Sequence, residues 1–569
     1  MARGDDAVDP ESRNSATHKP GESTSAAADH PDRLDARLLR IGSVCLIVSV
    51  MGGLDTTIVS VAQRTFVVEF QSTQAVVAWT MAAYILGLAT VTPMTGWAAD
   101  RFGTKRLFIG SVLAFTLGSL LCAMAPNILL LIIFRALQGA GGGTLTPLML
   151  TIVTRAAGPK RLGRVLGLAA IPLVLAPICG PILGGWIIRT YGWEWIFLIN
   201  VPVGVVAVVL AAFIFPRDEP TRTETFDFIG VLLLTPGVAT FLLGLSEMPG
   251  RGTVADRHVL IPMIVGLVLI TAFVWHAWYR AKHPLLDFRL LTNRTVGMAN
   301  LAMLVYVIAG TGAGLVLPSF FQQLMHHTPM QAGLHIVPLG LGALLTMPLA
   351  GIFMDKFGPG RIVLVGISLA VTGMSTLAYG VITQVDYSPT LLVALLVMGM
   401  GSGCTMLPLP GAAVQTLAQS QIARGSTLVS VNQLMASSIG ASVMSVILTS
   451  QFNRSENISA ATKMAALQQE AAESGSPIDP SVIPQPALVP ELVTNVQDDL
   501  SFAYAVVFVV AAVLIALTFI PAAFLPRKPA VMPAGKSTAT PSPSPTMQIL
   551  AAQAETHSAR SEPLSSLEE

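Results

Sequence analysis

Charged residues are scarce in this sequence. Asp, Glu, Lys and Arg make up 11% of the 569 residues, whereas 53% are hydrophobic. A soluble protein of this size carries charge at roughly a quarter of its positions. The composition therefore excludes an ordinary water-soluble globule. The net charge of +1 does not indicate a strongly charged partner, and we expect no nucleic-acid partner.

Cysteines are also few, and their placement excludes a disulfide-stabilised fold. The four are Cys45, Cys122, Cys179 and Cys404, and all lie inside apolar runs. We interpret them as packing residues. No metal site is predicted.

A cleavable signal is also absent before about Arg40, because the basic, apolar and small-residue segments of a signal do not occur there in order. We therefore expect the first span to be retained. Residues 1–40 and 526–569 are polar and rich in Ser, Ala and Pro, and we predict disordered cytoplasmic tails.

Long apolar runs are what the sequence has in abundance. Many are about 20 residues long, which is the length that crosses a bilayer as a helix. We predict an all-α polytopic membrane protein with about fourteen spans. They lie near residues 41–62, 76–98, 107–125, 128–153, 165–187, 196–215, 229–247, 259–279, 297–322, 333–354, 362–383, 391–411, 427–451 and 501–525.

Lys and Arg are distributed unevenly between the loops on the two sides. One set contains Arg101, Lys105 and Arg106 and most of the other basic loop residues. Such loops lie in the cytoplasm under the positive-inside rule, so both termini are predicted to be cytoplasmic. The long loop 452–499 then lies outside, with a helical segment predicted from Ala460 to Ala472.

One charged pattern occurs twice between apolar runs. It comprises Gly96, Asp100, Arg101, Gly103, Lys105 and Arg106, and about 255 residues later Gly351, Asp355, Lys356, Gly358, Gly360 and Arg361. The same offset places the first six spans on the last six and leaves two unmatched. We therefore predict a 6 + 2 + 6 architecture, in which like halves move about a central site. Its parts are a bundle at 41–215, a linker with two extra spans at 216–296 and a bundle at 297–525.

Further motifs accompany this repeat in a fixed order. They are Leu54-Asp55-Thr56-Thr57-Ile58-Val59 in the first span, Arg135-Ala136-Leu137-Gln138-Gly139 in the fourth, Gly180-Pro181-Ile182-Leu183-Gly184-Gly185 in the fifth and the 195–204 segment in the sixth. Over about residues 40–525 the sequence resembles the major facilitator superfamily, in its fourteen-span drug:proton antiporter branch of EmrB/QacA-like multidrug exporters. The resemblance implies the major facilitator fold.

Asp55 is the one carboxylate predicted to lie deep inside a span, and Arg135 is the deepest basic residue. A charge at the bilayer centre costs roughly 2.5–3.5 kcal/mol, so such residues usually face a cavity and function there. We predict that the two residues couple proton binding to transport. Leu395 occupies the position of Arg135 in the second half, which places this chemistry in the first half. The alternatives are a capped structural carboxylate and a structural salt bridge.

The repeated hairpins are predicted to act as a conformational latch, as the resemblance implies. The residues concerned are Gly96, Asp100, Arg101, Gly103, Arg106, Asp355 and Lys356. Asp100 is expected to accept bonds from a neighbouring helix N-terminus or to pair with an arginine. The alternative is a simple orientation signal.

The fifth-span motif marks exporters in the family that the sequence resembles. It comprises Gly167, Gly180, Pro181, Gly184 and Gly185, with Ala176 where a glycine is expected. Tight helix packing is the alternative. A mostly apolar substrate cavity is predicted from aromatic and amide side chains, which would otherwise be interface anchors or packing residues. These are Trp79, Tyr84, Gln138, Gln322 and Gln323.

We therefore predict a proton-coupled exporter of amphipathic, cationic small molecules in a bacterial inner membrane. The protein is not expected to be an enzyme, and no ATPase motif, nucleotide loop or cofactor site is found, so the proton gradient is the expected energy source. Two alternatives stay open, an exporter of an endogenous lipid, siderophore or metabolite and a transport-inactive receptor or scaffold. No residue argues for or against a periplasmic adaptor.

Overall fold

The structure is a computed structural model that describes residues 35–158, 161–169, 171–216, 226–251, 256–282, 284–474, 484 and 491–528. All regular secondary structure in these residues is helical. The predicted tails lie almost entirely outside the described residues, as does the Pro-rich part of the 452–499 loop.

Fourteen long helices correspond one to one with the predicted spans, and we number them α1 to α14. The first half contains α1 (Ala36–Glu69), α2 (Val76–Phe102), α3 (Thr104–Ala123), α4 (Ile128–Ala157), α5 (Leu162–Ala169 with Ile171–Tyr191) and α6 (Trp195–Ile214). The extra pair is α7 (Phe228–Arg251) and α8 (Arg257–Tyr279). The second half contains α9 (Arg294–Gln323), α10 (Pro329–Phe357), α11 (Pro359–Ile382), α12 (Tyr387–Gln415), α13 (Ile422–Arg454) and α14 (Leu492–Ala522).

The surface of the described bundle is strongly apolar. Thirteen helices in the described residues have the length and hydropathy of a membrane span, and α5 is the fourteenth long helix. Phe213 is 85% exposed and Leu232 is 72% exposed. Such exposure to water is unfavourable by about 25 cal/mol per Å² of apolar surface, whereas a bilayer accommodates it. The chain is therefore a multi-pass membrane protein.

A helix also forms at Glu456–Ser474, within the loop between α13 and α14. It contains the segment that was predicted to be helical from Ala460 to Ala472. Its first turn is tied to the start of α14, because Asp499 accepts hydrogen bonds from Ser455 at 2.6 Å and Asn457 at 2.9 Å.

Two glycines form equivalent turns in the two halves. Gly103 between α2 and α3 has φ +88°, and Gly358 between α10 and α11 has φ +84°. Residues with a Cβ rarely adopt these angles, which explains why the repeated hairpin requires glycine there. We call the end of the bundle that carries these two turns the hairpin end, and the opposite end the far end.

The extra helix α7 contacts both halves. Thr235 in α7 donates a hydrogen bond to the carbonyl oxygen of Thr90 in α2 at 3.4 Å. Ser442 in α13 donates to the carbonyl oxygen of Leu245 in α7 at 2.8 Å. Helix α7 thus lies over the junction of α2 with α13, and α8 packs against α7.

Candidate transport site

A buried polar network joins four helices of the first half. Its central members are Asp55 in α1, Ser119 in α3, Arg135 and Gln138 in α4, and Asn200 in α6, all at most 3% exposed. Buried polar groups of this kind require hydrogen-bond partners, because water is excluded from them.

The Asp55 carboxylate receives hydrogen bonds on both oxygens. Nη1 of Arg135 donates to Oδ2 at 2.7 Å. Nε2 of Gln138 and Nδ2 of Asn200 donate to Oδ1 at 2.8 and 2.9 Å. The same two amides also donate to the hydroxyl oxygen of Ser119, at 2.7 and 3.3 Å. The ionised carboxylate is therefore fully bonded, and the pair with Arg135 is neutral overall.

The guanidinium of Arg135 is held from several directions. Its Nε donates to the carbonyl oxygen of Thr80 at 3.3 Å, and its Nη1 also donates to Oε1 of Gln138 at 2.6 Å. The guanidinium lies over the ring of Tyr84, with Cζ 4.1 Å from the ring centroid. Its Nη2 is buried with no hydrogen-bond partner among the described residues. An unpaired charged donor is costly, so the network is poised to gain a partner there.

The ion pair balances its own charge inside the bundle. Loss of either charge would leave the other without its counter-ion, which is unfavourable in a low-dielectric interior. The pair therefore links α1 to α4.

The predicted exporter motif packs α5 against α1 beside Asp55. A Cβ at Gly180 would overlap with Oγ1 of Thr57, whose hydroxyl donates to the carbonyl oxygen of Ala176 at 3.2 Å. Ala176 replaces the expected glycine, and Gly53 of α1 provides its space, because a Cβ there would lie 2.8 Å from the Ala176 methyl carbon. This part of the motif therefore packs tightly against α1.

The other motif residues have different surroundings. A Cβ at Gly184 would lie 3.0 Å from Cγ2 of Ile58, whereas one at Gly185 would meet nothing within 4 Å. A Cβ at Gly167 would lie 3.2 Å from Cα of Pro348 in α10 of the second half. The side chain of Pro181 lies outside the described residues.

A cavity of about 380 Å³ lies between the two halves. Its lining includes Thr56, Tyr84 and Met149 from the first half and Met347, Met406 and Gln433 from the second. The lining is mostly apolar, with no charged side chain among the residues that form it. This size and composition are typical of small-molecule sites.

The cavity and the buried network adjoin each other. Tyr84 lines the cavity and also lies under the guanidinium of Arg135. Thr56 lines the cavity and directly follows Asp55 in α1. A ligand in the cavity would therefore contact residues that are direct neighbours of Asp55 and Arg135.

The structure separates the five residues that were predicted to form the cavity. Tyr84 lines it, whereas Gln138 belongs to the buried network. Trp79 is 38% exposed and is not part of the lining. Gln322 and Gln323 lie at the far end of α9, where Oε1 of Gln323 accepts a hydrogen bond from Tyr504 at 2.8 Å. For these last three the alternative of packing or anchoring residues fits the geometry better.

Several network and cavity residues were not singled out from the sequence. Asn200 lies in the 195–204 motif that contributed to the resemblance, and this motif was the available signal for it. Ser119 and Gln433 carry no such signal, because neutral polar residues occur in many membrane helices.

Two ion-pair clusters connect the halves at the hairpin end. Oδ1 of Asp100 lies 3.6 Å from Nη2 of Arg155, and its Oδ2 lies 3.6 Å from Nε of Arg424 in α13. Gly96, one turn earlier, permits this approach, since a Cβ there would lie 3.2 Å from Cα of Arg424. Asp100 thus pairs with an arginine of its own half and an arginine of the other half.

Asp355 of the second half forms the equivalent contact with the first half. Its carboxylate accepts hydrogen bonds from the backbone amides of Gly163 and Arg164 at 2.8 and 3.1 Å, and so it caps the start of α5. Nε of Arg164 lies 4.0 Å from the same carboxylate. The backbones meet closely, because a Cβ at Gly163 would overlap with the carbonyl oxygen of Gly351.

The remaining predicted latch residues have exposed charges. The side chains of Arg101, Arg106 and Lys356 are exposed at the hairpin end, and Nζ of Lys356 lies 5.6 Å from the ring centroid of Phe357. Gly103 serves the turn, as described above. Among the predicted latch residues, Asp100, Asp355 and Gly96 contact the opposite half directly.

The fold and the site define a class of protein: a membrane transporter built of two like six-helix halves around a central cavity. A family model described as Major Facilitator Superfamily matches residues 45–445, and the chain belongs to that superfamily. This superfamily is a class of transporters and not of enzymes.

Two similar proteins have names that refer to multidrug resistance or export. The chain is 60% identical over 510 residues to a protein of Mycobacterium tuberculosis (strain ATCC 25618 / H37Rv) named multidrug resistance protein B homolog, covering 90% of this chain and 94% of that one. It is 29% identical over 422 residues to the multidrug export protein EmrB of Escherichia coli (strain K12), covering 74% and 82%.

Solved structures share the fold at low sequence identity. The proton:xylose symporter XylE has a TM-score of 0.52 at 14% identity, with 85% of this chain and 96% of that chain covered. The human organic anion transporter MFSD10 has a TM-score of 0.54 at 12% identity, with 84% and 99% covered. These structures show the fold alone.

Proposed function

We propose that the protein is a proton-coupled antiporter that exports amphipathic, cationic small molecules by alternating access. The observation that supports this most strongly is the fully buried Asp55–Arg135 pair, with 2.7 Å between Oδ2 and Nη1, next to Tyr84 and Thr56, which line a central apolar cavity. The names of the relatives, which concern multidrug resistance and export, support the choice of substrate class and direction.

In the proposed cycle, Asp55 binds a proton from outside while substrate leaves, and returns it inside when substrate binds. The neutral pair with Arg135 holds α1 and α4 together, and protonation weakens that link. A cationic substrate is favoured near the ionised carboxylate and over aromatic rings such as Tyr84. The proton gradient supplies the energy, and no cofactor is required.

We assign the hairpin end to the cytoplasm, because the basic residues of the sequence are concentrated in its loops. Asp100 and Asp355 then hold the cytoplasmic side closed, through contacts with Arg424 and Arg164 of the opposite halves. Closure of this side is required in the outward-facing state of an alternating-access cycle. Both clusters must separate before substrate enters from the cytoplasm, which is the role of the proposed latch. We assign the protein to the cytoplasmic membrane of a bacterium, because the similar proteins come from bacteria.

The test uses inverted membrane vesicles that carry the full chain, an imposed pH gradient and ethidium as the fluorescent cation. Wild type should accumulate ethidium and release protons when it is added. Asp55→Asn should lose both signals. Asp386→Asn, which changes an exposed carboxylate at the start of α12 by the same substitution, should keep them. Full proton-driven uptake by Asp55→Asn would refute the coupling role.

A neutral or lipid-like endogenous product is the second candidate, and one observation favours it. No charged side chain lines the cavity, so a cation would receive only indirect stabilisation from Asp55. If folded wild type transports no cation but responds to a neutral lipid or siderophore, this candidate replaces the first. A folded protein that moves nothing under any gradient would indicate a receptor or scaffold.

A further inference from the structure

A second cavity, of about 340 Å³, lies at the hairpin end of the first half and away from the central cavity. It is enclosed by the start of α1, the start of α3, the end of α4 and the segment after α6. We call it the basic pocket. Its apolar floor is formed by Leu38, Ile41, Ile152 and Phe215.

Four cationic side chains line the basic pocket: Arg37, Lys105, Arg155 and Arg161. The only acidic residue in the lining is Asp35, whose Oδ2 lies 2.9 Å from Nη1 of Arg161. Nζ of Lys105 also donates to the carbonyl oxygens of Ala212 and Phe215, at 2.6 and 3.0 Å. Leaving Lys105 aside, the described surroundings contain the three arginines and, when Asp100, the partner of Arg155, is added to Asp35, two carboxylates.

The second half of the chain provides an internal comparison. In a sequence alignment of the two halves that matches Gly139-x-Gly141-x-Gly143 with Gly399-x-Gly401-x-Gly403, Gln415 corresponds to Arg155 and Gln421 corresponds to Arg161. An alignment of the two hairpins matches Gly360 with Lys105. The latch arginine is present in both halves, since Arg424 corresponds to Arg164.

This comparison separates two explanations for the basic residues. Asp355 of the second half makes its cross-half contact with Arg164 of the first, and the second half has no cations at the positions equivalent to Lys105, Arg155 and Arg161. A hairpin contact of this kind therefore does not require such a cluster. The concentration of positive charge in one half points to a ligand of that half.

We propose that the basic pocket binds a phosphate ester, and specifically the headgroup of an anionic phospholipid. Guanidinium groups match the geometry of phosphate oxygens in two-point contacts, and basic pockets between membrane helices on the cytoplasmic side recognise anionic headgroups. The pocket opens where helix ends leave the apolar region, and its floor accommodates the glycerol part of a lipid. A soluble phosphate would share the charged contacts but not this floor.

The site is physically linked to the latch. Arg155 lines the pocket, and its Nη2 lies 3.6 Å from Oδ1 of Asp100. A phosphate that draws Arg155 toward the pocket changes the partners of Asp100, so lipid binding and closure of the hairpin end influence each other. Such coupling is reciprocal.

The test measures lipid binding rather than transport, so its result does not depend on whether the proposed antiport is correct. The purified full chain is placed in phosphatidylcholine nanodiscs with increasing phosphatidylglycerol, and lipids retained by the protein are counted by native mass spectrometry. Wild type should retain phosphatidylglycerol in clear excess over its share of the bilayer. Arg37→Gln/Arg161→Gln should reduce this excess by about tenfold, as expected for the loss of charge-assisted phosphate contacts.

Two matched variants keep the test decisive. Arg294→Gln/Arg361→Gln removes the same charge from the start of α9 and of α11 in the second half and should leave the excess unchanged. Arg37→Lys/Arg161→Lys keeps the charge and should retain most of it, which controls for folding together with the thermal unfolding midpoint. Equal loss in both Gln variants would overturn the proposal. Displacement of the lipid by millimolar inorganic phosphate, without a preference for the lipid, would overturn the lipid source.

Discussion

Asp55 and Arg135 form an ion pair with Oδ2 and Nη1 2.7 Å apart, and neither side chain has any solvent-accessible surface. The desolvation of both charges is offset by their attraction and by the amides of Gln138 and Asn200. In such a pair, removal of one partner is far more damaging than removal of both, because it leaves a buried charge uncompensated. This asymmetry gives a way to separate the structural role of the pair from its proposed role in coupling.

The first prediction concerns Asp55→Asn, alone and with Arg135→Gln. The single substitution should lower the free energy of unfolding by roughly 3–5 kcal/mol, since Arg135 loses its counter-ion. The double variant should be more stable than the sum of the single effects predicts. Thermal unfolding in detergent measures both. If the double variant is stable yet shows no proton release on substrate addition, coupling requires the pair itself. Additive losses would contradict the proposed charge balance.

The second prediction contrasts two glycines of the fifth-span motif. Gly180→Ala should strongly reduce transport and stability, because its Cβ would overlap with Oγ1 of Thr57 beside Asp55. Gly185→Ala should have little effect, since its Cβ meets nothing within 4 Å. Both changes add one methyl group to the same helix, so each controls for the other. Vesicle uptake at matched expression is the measurement. Equal losses would show that helix flexibility, and not packing, sets the requirement for glycine.

Much of the fold follows from the sequence for identifiable reasons. Apolar runs of span length predicted the number and order of the helices. The repeated hairpin predicted which helices of the two halves correspond. Gly103 and Gly358 were identified from the repeat, and both have the positive φ that explains their identity. The helix ends differ from the predicted ones by several residues, as at α1, which extends to Glu69. Hydropathy does not register helical turns that continue beyond the apolar core.

The candidate site was predictable in its charges and not in its neutral residues. Asp55 and Arg135 were identified because isolated charges inside apolar runs are rare, and the structure places them in contact. Ser119 and Asn200 complete the network, yet similar residues elsewhere in the helices bond only to their own backbone, as Thr116 does. Gln322 and Gln323 were assigned to the cavity by residue type, but the position of that cavity depends on the contact of the two halves.

The third prediction compares the two aspartates of the latch. Asp355 accepts two backbone hydrogen bonds, and its side chain is 4% exposed, whereas the side chain of Asp100 is 18% exposed. Asp355→Asn should therefore open the hairpin end more than Asp100→Asn does. Loss of a buried carboxylate acceptor costs about 1–3 kcal/mol, and a partly exposed ion pair contributes about 0–1 kcal/mol.

The readout for the latch is the reactivity of a single cysteine that replaces Thr427, a buried residue of similar size that faces Gly96 across the closed halves. Labelling by a membrane-permeant maleimide should rise in the order wild type, Asp100→Asn, Asp355→Asn, in a background with the four native cysteines replaced. The same cysteine with Asp386→Asn is the control. A reversed order would show that the arginine contacts of Asp100, rather than the capping by Asp355, determine closure.

The last prediction addresses the central cavity through two glutamines. Gln433 of α13 lines the cavity, whereas Gln323 bonds to Tyr504 at the far end of α9. Gln433→Ala removes an amide from a mostly apolar lining, and the loss of one neutral hydrogen bond is about 0.5–1.5 kcal/mol. The KM for substrates with a hydrogen-bonding group should therefore rise by roughly two- to tenfold, while the KM for purely apolar cations should not change.

Gln323→Ala is the control and should leave both KM values unchanged. A larger effect of Gln323→Ala than of Gln433→Ala would place the substrate nearer the far end than this cavity. Such a selective change in KM would identify Gln433 as a residue that discriminates between substrates, since a general packing defect would lower the rate for both classes alike.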